Sequence, residues 1–253
     1  MSDRSPALHV EHLGRLAYAP AYEAQRERLE RVLAAREAAD APLAGFILTV
    51  EHDPVVTISR RPGARDHLLA SPDLLARHGV SIEETDRGGD ITYHGPGQLV
   101  VYPVLDLTLL NLGLHNYMRL LETSVIDTCA AFGVATAQDP GATGVWTLRD
   151  GAPHAKIAAM GVRVRRWISM HGLALNVRTN LDHFALIVPC GLAGRPVTTL
   201  HRELGERCPP DDAVRDVLVE NLRTRVRDAF ARAHEARQAA ADASIDLGPE
   251  RPA

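Results

Sequence analysis

Lysine is almost missing from this chain. Of its 28 Lys and Arg side chains only Lys156 is a lysine. Arginine cannot give up its proton in a protein, whereas a lysine amine does so when desolvated or set beside another cation. One lysine in an arginine-rich chain therefore marks a place where a titratable amine serves, or a surface residue without a role. Aromatics are scarce at 4%, so the core has to be built from Leu, Val, Ile and Ala. Cysteine is limited to Cys129, Cys190 and Cys208, odd in number and without CxxC spacing. That is a pattern of reduced thiols in the cytoplasm and not a disulfide framework. Apolar runs such as FILTV and LVVYPVLDL are strand-sized and too short to span a bilayer, and the opening MSDRSPALHVEH has no apolar signal core. A net charge of −4 gives no whole-chain pull toward nucleic acid or an anionic membrane, so neither is expected as a partner. A Walker loop, a GxGxxG entering a helix, HExxH and His/Cys clusters with metal-ligand spacing are all missing. No cofactor and no metal is expected.

What remains is the composition of a globular protein, with 45% apolar and 24% charged residues in 253, enough for one sizeable core. Residues 1–12 read as a flexible leader. Pro20 opens a helix to about Ala39, with Leu29, Val32 and Leu33 on one face. GFILTVEH (45–52), PVVTISR (54–60) and VSIEET (80–85) read as strands, with a short helix over SPDLLARHG between the last two. DRGGDITYHGPGQLVVYPVLDL is a glycine-punctuated loop feeding an apolar strand. LHNYMRLLETSVIDTCAAFG (114–133) is an amphipathic helix stopped by Gly133. GVWTLR, KIAAMGVRVRR and ISMHGLALNV form a largely antiparallel meander. A last amphipathic helix spans 209–233, and the tail 234–253 has little to bury and should fray. The expectation is one α+β domain over 13–233, a mixed, largely antiparallel sheet flanked by helices.

Three stretches could carry chemistry. Cys190, in IVPCGLAG, sits between Pro189 and Gly191 on a tight turn after an apolar run, which exposes its sulfur. A free thiol has a pKa of about 8.5 and needs a cationic or proton-accepting neighbour to become a good nucleophile. The alternative is a buried small hydrophobe. Cys129, in register on a helix, is core by that rule, and Cys208, beside two prolines, is incidental. In RGGDITYHGPGQ the glycine pairs either make turns or let the backbone approach a ligand and aim N–H groups at an acyl oxygen. His94 and His171, each beside a glycine, are structural or line a site. Arg163, Arg165 and Arg166 form a solvated edge or, with Arg60, Arg61 and Arg65, a landing patch for an acidic partner.

RGGDITYHGPGQLVVYPVLDL, KIAAMGVRVRRWISMHGLALNV and PCGLAG together resemble the lipoyl(octanoyl) transferases over residues 13–205. That resemblance implies the fold of the biotin/lipoate protein ligase catalytic domain. It also implies transfer of octanoyl from octanoyl-acyl carrier protein to a lysine of lipoyl domains, in 2-oxoacid dehydrogenases and the glycine cleavage H protein, within the cytoplasm. Carried over by position, Cys190 is the acyl-thioester nucleophile and Lys156, 34 residues earlier, activates it. The acyl substrate is held by Arg87, Gly88, Gly89, Asp90, Ile91, Thr92, Tyr93 and His94, by Ala159, Met160 and Gly161, and by Gly172, Leu173 and Ala174. Two departures stand out. TISRRPGARDHLL lacks the glycine the family usually has before its arginine, and the tail beyond 206 is longer than in short members.

The implied chemistry is ping-pong acyl transfer through a Cys–Lys pair that titrates as a unit. Thioester to amide is downhill, so no ATP is needed. Three other readings stay open at the level of sequence. They are an ATP-dependent lipoate–protein ligase of the same fold, a relay amidotransferase moving octanoyl between lipoyl domains, and a non-catalytic docking module for acidic carrier domains.

Overall fold

The computed structural model describes residues 6–38, 42–188 and 194–245, with side chains through 242. Its frame is a seven-stranded mixed sheet in the order β1-β2-β6-β10-β9-β8-β7. These strands are β1 (Ala7–Leu16), β2 (Leu43–His52), β6 (Gln98–Leu105), β7 (Thr136–Asp139), β8 (Ala142–Arg149), β9 (Ala152–Arg165) and β10 (Ile168–Asn176). Only the β1–β2 pair is parallel; every other pairing in this sheet is antiparallel. A smaller sheet holds β4 (Ser81–Thr85), β3 (Val55–Ser59) and β5 (Ile91–His94), with β3 parallel to β4 and antiparallel to β5.

The large sheet is covered on both faces, which is why its central strands read as continuous apolar runs. On β6, Val101 and Leu105 pack toward α3 (Leu114–Ala131) and α5 (Asp211–Ile245), joining Leu121, Val125, Cys129, Leu218 and Leu222. Val100, Tyr102 and Val104 face α1 (Tyr18–Ala38), whose Leu29, Val32 and Leu33 are buried as their spacing predicts. A third core fills the small sheet, where Val56, Ile58, Ile91 and Tyr93 meet Leu75 of α2 (Pro72–Arg77) and Phe184 and Leu186 of a short 3-10 turn.

Two ends differ from the sequence reading. The expected leader enters β1 at Ala7 and is an edge strand paired to β2 from Leu43 onward. The expected frayed tail continues as α5 to Ile245, with Arg237 donating to the carbonyls of Thr108 and Leu109 at 3.1 and 2.6 Å. The β8–β9 and β9–β10 hairpins close on two-residue turns with both residues at positive φ. Asp150-Gly151 lie at 52° and 79°, and Arg166-Trp167 at 52° and 62°. Such a turn matches the right-handed twist of the strands it joins.

Candidate active site

A cavity opens where the α1 face of the large sheet meets β5. Its walls are Arg87, Thr92 and His94 from the small-sheet side, Val100 and Tyr102 from β6, Ala159, Met160 and Gly161 from β9, His171, Gly172, Leu173 and Ala174 from β10, and Tyr18 from the start of α1. Close main-chain approach shapes it. A Cβ on Gly172 would lie 2.3 Å from the Val101 carbonyl oxygen, and one on Gly161 would lie 2.7 Å from that of Gly88. Glycine at these two positions lets β10 and β9 come against their neighbours with no side chain narrowing the slot.

The polar groups around this slot are arranged to stay neutral, apart from the Arg87 guanidinium. His52 Nδ1 donates to the Leu16 carbonyl at 2.9 Å, so its Nε2 accepts from the Tyr102 hydroxyl at 2.7 Å. Burial lowers the His52 pKa. His94 bonds Gln98 Oε1 at 2.7 Å, and burial, with help from neighbouring His52, pushes its pKa down to about 3. His171 lies 2.9 Å from Asp86 Oδ1, and burial together with the cations of Arg87 and Arg163 brings it to about 3 as well. The His171 backbone is left-handed, at φ 57°, and its N–H is held by the buried Gln25 Oε1 at 2.7 Å. Arg87 reaches Thr57 through Nη2, bonding both its carbonyl and its hydroxyl at 3.0 Å.

Nine of the residues named from the sequence line this cavity: Arg87, Thr92, His94, Ala159, Met160, Gly161, Gly172, Leu173 and Ala174. Five lie behind it. Strand alternation turns Ile91 and Tyr93 into the small-sheet core, where the Tyr93 hydroxyl meets His183 Nδ1 at 2.7 Å. Asp90 is buried with an oxygen 2.8 Å from His67 Nδ1. Gly88 spends its N–H on the Val162 carbonyl at 2.9 Å, and Gly89 accepts from the Ser59 hydroxyl. The second glycine pair makes a turn: Gly97 takes φ 76°, and its carbonyl accepts the amides of Val177 and Arg178. Tyr18, Val100 and Tyr102 were not foreseen. Nothing in their spacing distinguishes them from ordinary core, because they reach the slot only through the packing of α1 and β6 on β5.

Lys156 lies on β9 opposite Trp146 of β8. Its Nζ sits 4.8 Å from the centre of the buried indole, and its stem passes over Gly144, where a Cβ would come 3.2 Å from Lys156 Cε. Ala159, the first β9 residue on the cavity wall, follows three positions later, about 10 Å along the strand. Cys190 lies outside the described residues, but both flanks of its stretch are placed. On one side Val188 donates to the His67 carbonyl at 2.8 Å. On the other, residues 196–198 run alongside β9 at Lys156 itself. Lys156 N–H donates to the Pro196 carbonyl at 2.9 Å, and Thr198 N–H donates to the Lys156 carbonyl at 3.0 Å. The remaining thiols behave as core. Cys129 is fully buried and burial pushes its pKa up to about 12, while Cys208 receives Arg178 Nη1 at 2.9 Å.

The arginine patch divides. Arg163, Arg165 and Arg166 are matched by Asp86, Glu30 and Glu37, so that edge is balanced against α1 and the β4–β5 connection. Arg65 pairs with Glu84 at 3.3 Å, whereas Arg60 and Arg61 are exposed without an acidic partner among the described residues.

This sheet arrangement is that of the lipoate–protein ligases. The chain superposes on the bipartite lipoate protein ligase of Thermoplasma acidophilum with a TM-score of 0.63, covering 90% of this chain and 91% of that one at 16% identity. It also superposes on lipoate-protein ligase A bound with ATP with a TM-score of 0.58, covering 91% and 94% at 17% identity. Residues 22–230 match the model of the lipoyl protein ligase A/B catalytic domain, and the chain belongs to that family. Among similar sequences, a protein of Acidobacterium capsulatum named octanoyltransferase is 47% identical over 205 residues, covering 78% of this chain and 80% of that protein. An octanoyltransferase of Flavobacterium johnsoniae is 41% identical over 221 residues, covering 85% and 94%. No helix among the described residues is long and apolar enough to cross a membrane.

Proposed function

We propose that this protein is an acyltransferase that moves an octanoyl group from octanoyl-acyl carrier protein to the lysine amine of a lipoyl domain, through an acyl-Cys190 intermediate. One observation carries the reading. The segment that leaves Cys190 is hydrogen-bonded through its main chain to Lys156, on the same strand that further along walls the slot. The names of relatives at 41–47% identity support the octanoyl group.

In the first half-reaction the Cys190 thiolate attacks the thioester carbonyl, a new C–S bond forms, and the carrier's thiol leaves with the proton held by Lys156. In the second, the acceptor amine attacks the acyl-sulfur carbon, the C–S bond breaks to release the Cys190 thiolate as the amide forms, and Lys156 takes the surplus amine proton. The thiol and amine share one proton and titrate as a pair. An ammonium beside the thiol lowers the thiol's proton affinity. The slot's apolar stretch, Val100, Met160, Leu173 and Ala174, accepts the methylene chain.

The test is intact-mass measurement after mixing the protein with octanoyl-acyl carrier protein. One octanoyl adduct is expected, absent in Cys190→Ala. An unmodified protein that transfers octanoate only when ATP is supplied, and does so equally well as Cys190→Ala, would instead identify a ligase.

A further inference from the structure

Trp146 carries two cations. Besides Lys156 Nζ at 4.8 Å, the guanidinium carbon of Arg195 lies 3.5 Å from the ring centre. The two charge centres are therefore no more than about 8 Å apart, within a Debye length at physiological salt. Arg195 does not reach the ring loosely. Its Nη1 is 2.6 Å from Asp139 Oδ2, and Asp139 Oδ1 accepts the Gly141 amide at 2.7 Å. Arg195 also sits two residues before Val197, the residue that pairs with Lys156, so the main chain brings guanidinium and amine to one side of the sheet. The Asp139 carboxyl is held below its usual range by the Gly141 amide first, then by Arg195, with the Lys156 charge adding to the effect. That places Lys156 within electrostatic range of the same pair.

We infer that Arg195, clamped by Asp139 and laid over Trp146, is a positioning residue that sets how readily the Lys156 amine gives up its proton. The inference rests on the Cys190–Lys156 reading above and deepens it. Two effects act in one direction. A neighbouring guanidinium disfavours a second positive charge. It also occupies the negative face of the indole more closely than the ammonium does, which weakens the cation–π attraction that would hold Lys156 protonated. Asp139 opposes both, and its bond to Arg195 limits its pull. Among the described residues other ionisable groups also stand near this corner, Arg149 and Arg202 beside residues 196–198 among them. Glu122 accepts the Gly144 amide and is paired with Arg119, Glu203 is bonded to the Thr198 hydroxyl, and His154 lies two residues back on β9. The thiol of Cys190 is the group the amine serves, and removing a cation raises its proton affinity too, so both partners of the pair respond alike.

The two clamp residues should therefore shift the pH profile in opposite directions. The experiment follows the rate of acyl-enzyme formation against pH in the full-length protein, with octanoyl-pantetheine as donor so that no carrier protein titrates. In Arg195→Gln the alkaline-rising limb should move up by roughly half to one pH unit, and in Asp139→Asn it should move down by a similar amount. Arg195→Lys should lie close to the parent, and thermal unfolding of each variant checks that the fold is kept. A purely structural role would lower the plateau in both variants without displacing the limb. Unmoved limbs alongside an inactive Lys156→Ala overturn this inference and leave the dyad standing, whereas an active Lys156→Ala overturns the dyad and the inference with it.

Discussion

Lys156 and Trp146 face each other across the β8–β9 ladder, and the indole is the floor on which the amine rests. An ammonium over an aromatic face is partly desolvated and still attracted, so the ring helps to hold the charged amine in place. Position and titratability are then separable by mutation. Lys156→Arg keeps the cation and the ring contact but cannot release a proton. We expect acylation of Cys190 by octanoyl-acyl carrier protein to fall by about 10²–10⁴-fold with little change in melting temperature. Stopped-flow or quenched mass spectrometry measures it, and near-parental rates would remove Lys156 as the proton carrier.

Gly144 makes the room in which the lysine stem lies. Alanine there would set a Cβ 2.7 Å from the Ala158 carbonyl oxygen and 3.2 Å from Lys156 Cε, on a backbone at φ 128°. Gly144→Ala should cost about 1–3 kcal/mol of stability in a urea titration, through strain. It should also slow acylation beyond what that loss explains, because the amine is displaced.

On the proposed reading the slot takes the acyl chain, and its depth sets the chain length accepted. Ala159 is half-buried on its wall, so a larger side chain there intrudes on the ligand more than on the core. Ala159→Leu should reduce transfer of octanoyl at least tenfold while leaving butanoyl transfer within a few-fold, since each displaced methylene forfeits about 0.8 kcal/mol. Equal losses for both donors would place the acyl chain elsewhere.

Acid should destabilise this protein through its buried histidines. An unfolded histidine titrates near 6.5, whereas burial and nearby positive groups hold His94 and His171 at about 3 in the folded chain. The unfolded state binds those protons first, so the contribution is complete above about pH 6.5 and shrinks as pH falls toward 3. Each group adds a slope of about 1.4 kcal/mol per pH unit in that window. Denaturant titrations between pH 7 and 5 should show the decline, and His94→Asn should flatten part of it.

Much of the frame is legible in the residues themselves. Leu29, Val32 and Leu33, and Leu121 with Val125 and Cys129, repeat at helical spacing and are buried as that spacing requires. The Asp150-Gly151 turn has its usual side chains, but the equivalent turn at Arg166-Trp167 has neither glycine nor asparagine. Its conformation is held from outside, by Arg36 on the Arg166 carbonyl and by the Leu107 amide on that of Trp167. Strand β1 was hidden because an edge strand buries little: Leu8, Val10, Leu13 and Leu16 are only half-buried, with exposed His9, His12 and Arg15 between them. The last helix overruns its apolar stretch because Ala, Arg and Glu favour helix without needing a core. At the site, the glycine and β9–β10 motifs were visible locally, while Tyr18, Tyr102, Gln25 and Asp86 join it only in three dimensions.

One consequence of the 196–198 segment beside β9 concerns how this region tolerates sequence change. Because Lys156 gives both its amide and its carbonyl to that neighbour, the alignment is fixed by atoms every residue type shares, and only a proline at 156 or 198 could delete a donor. Side chains there are thus at liberty to alter the local charge while the scaffold stays put, so proton affinity can be retuned by drift at Arg195 without redesigning the machinery it serves.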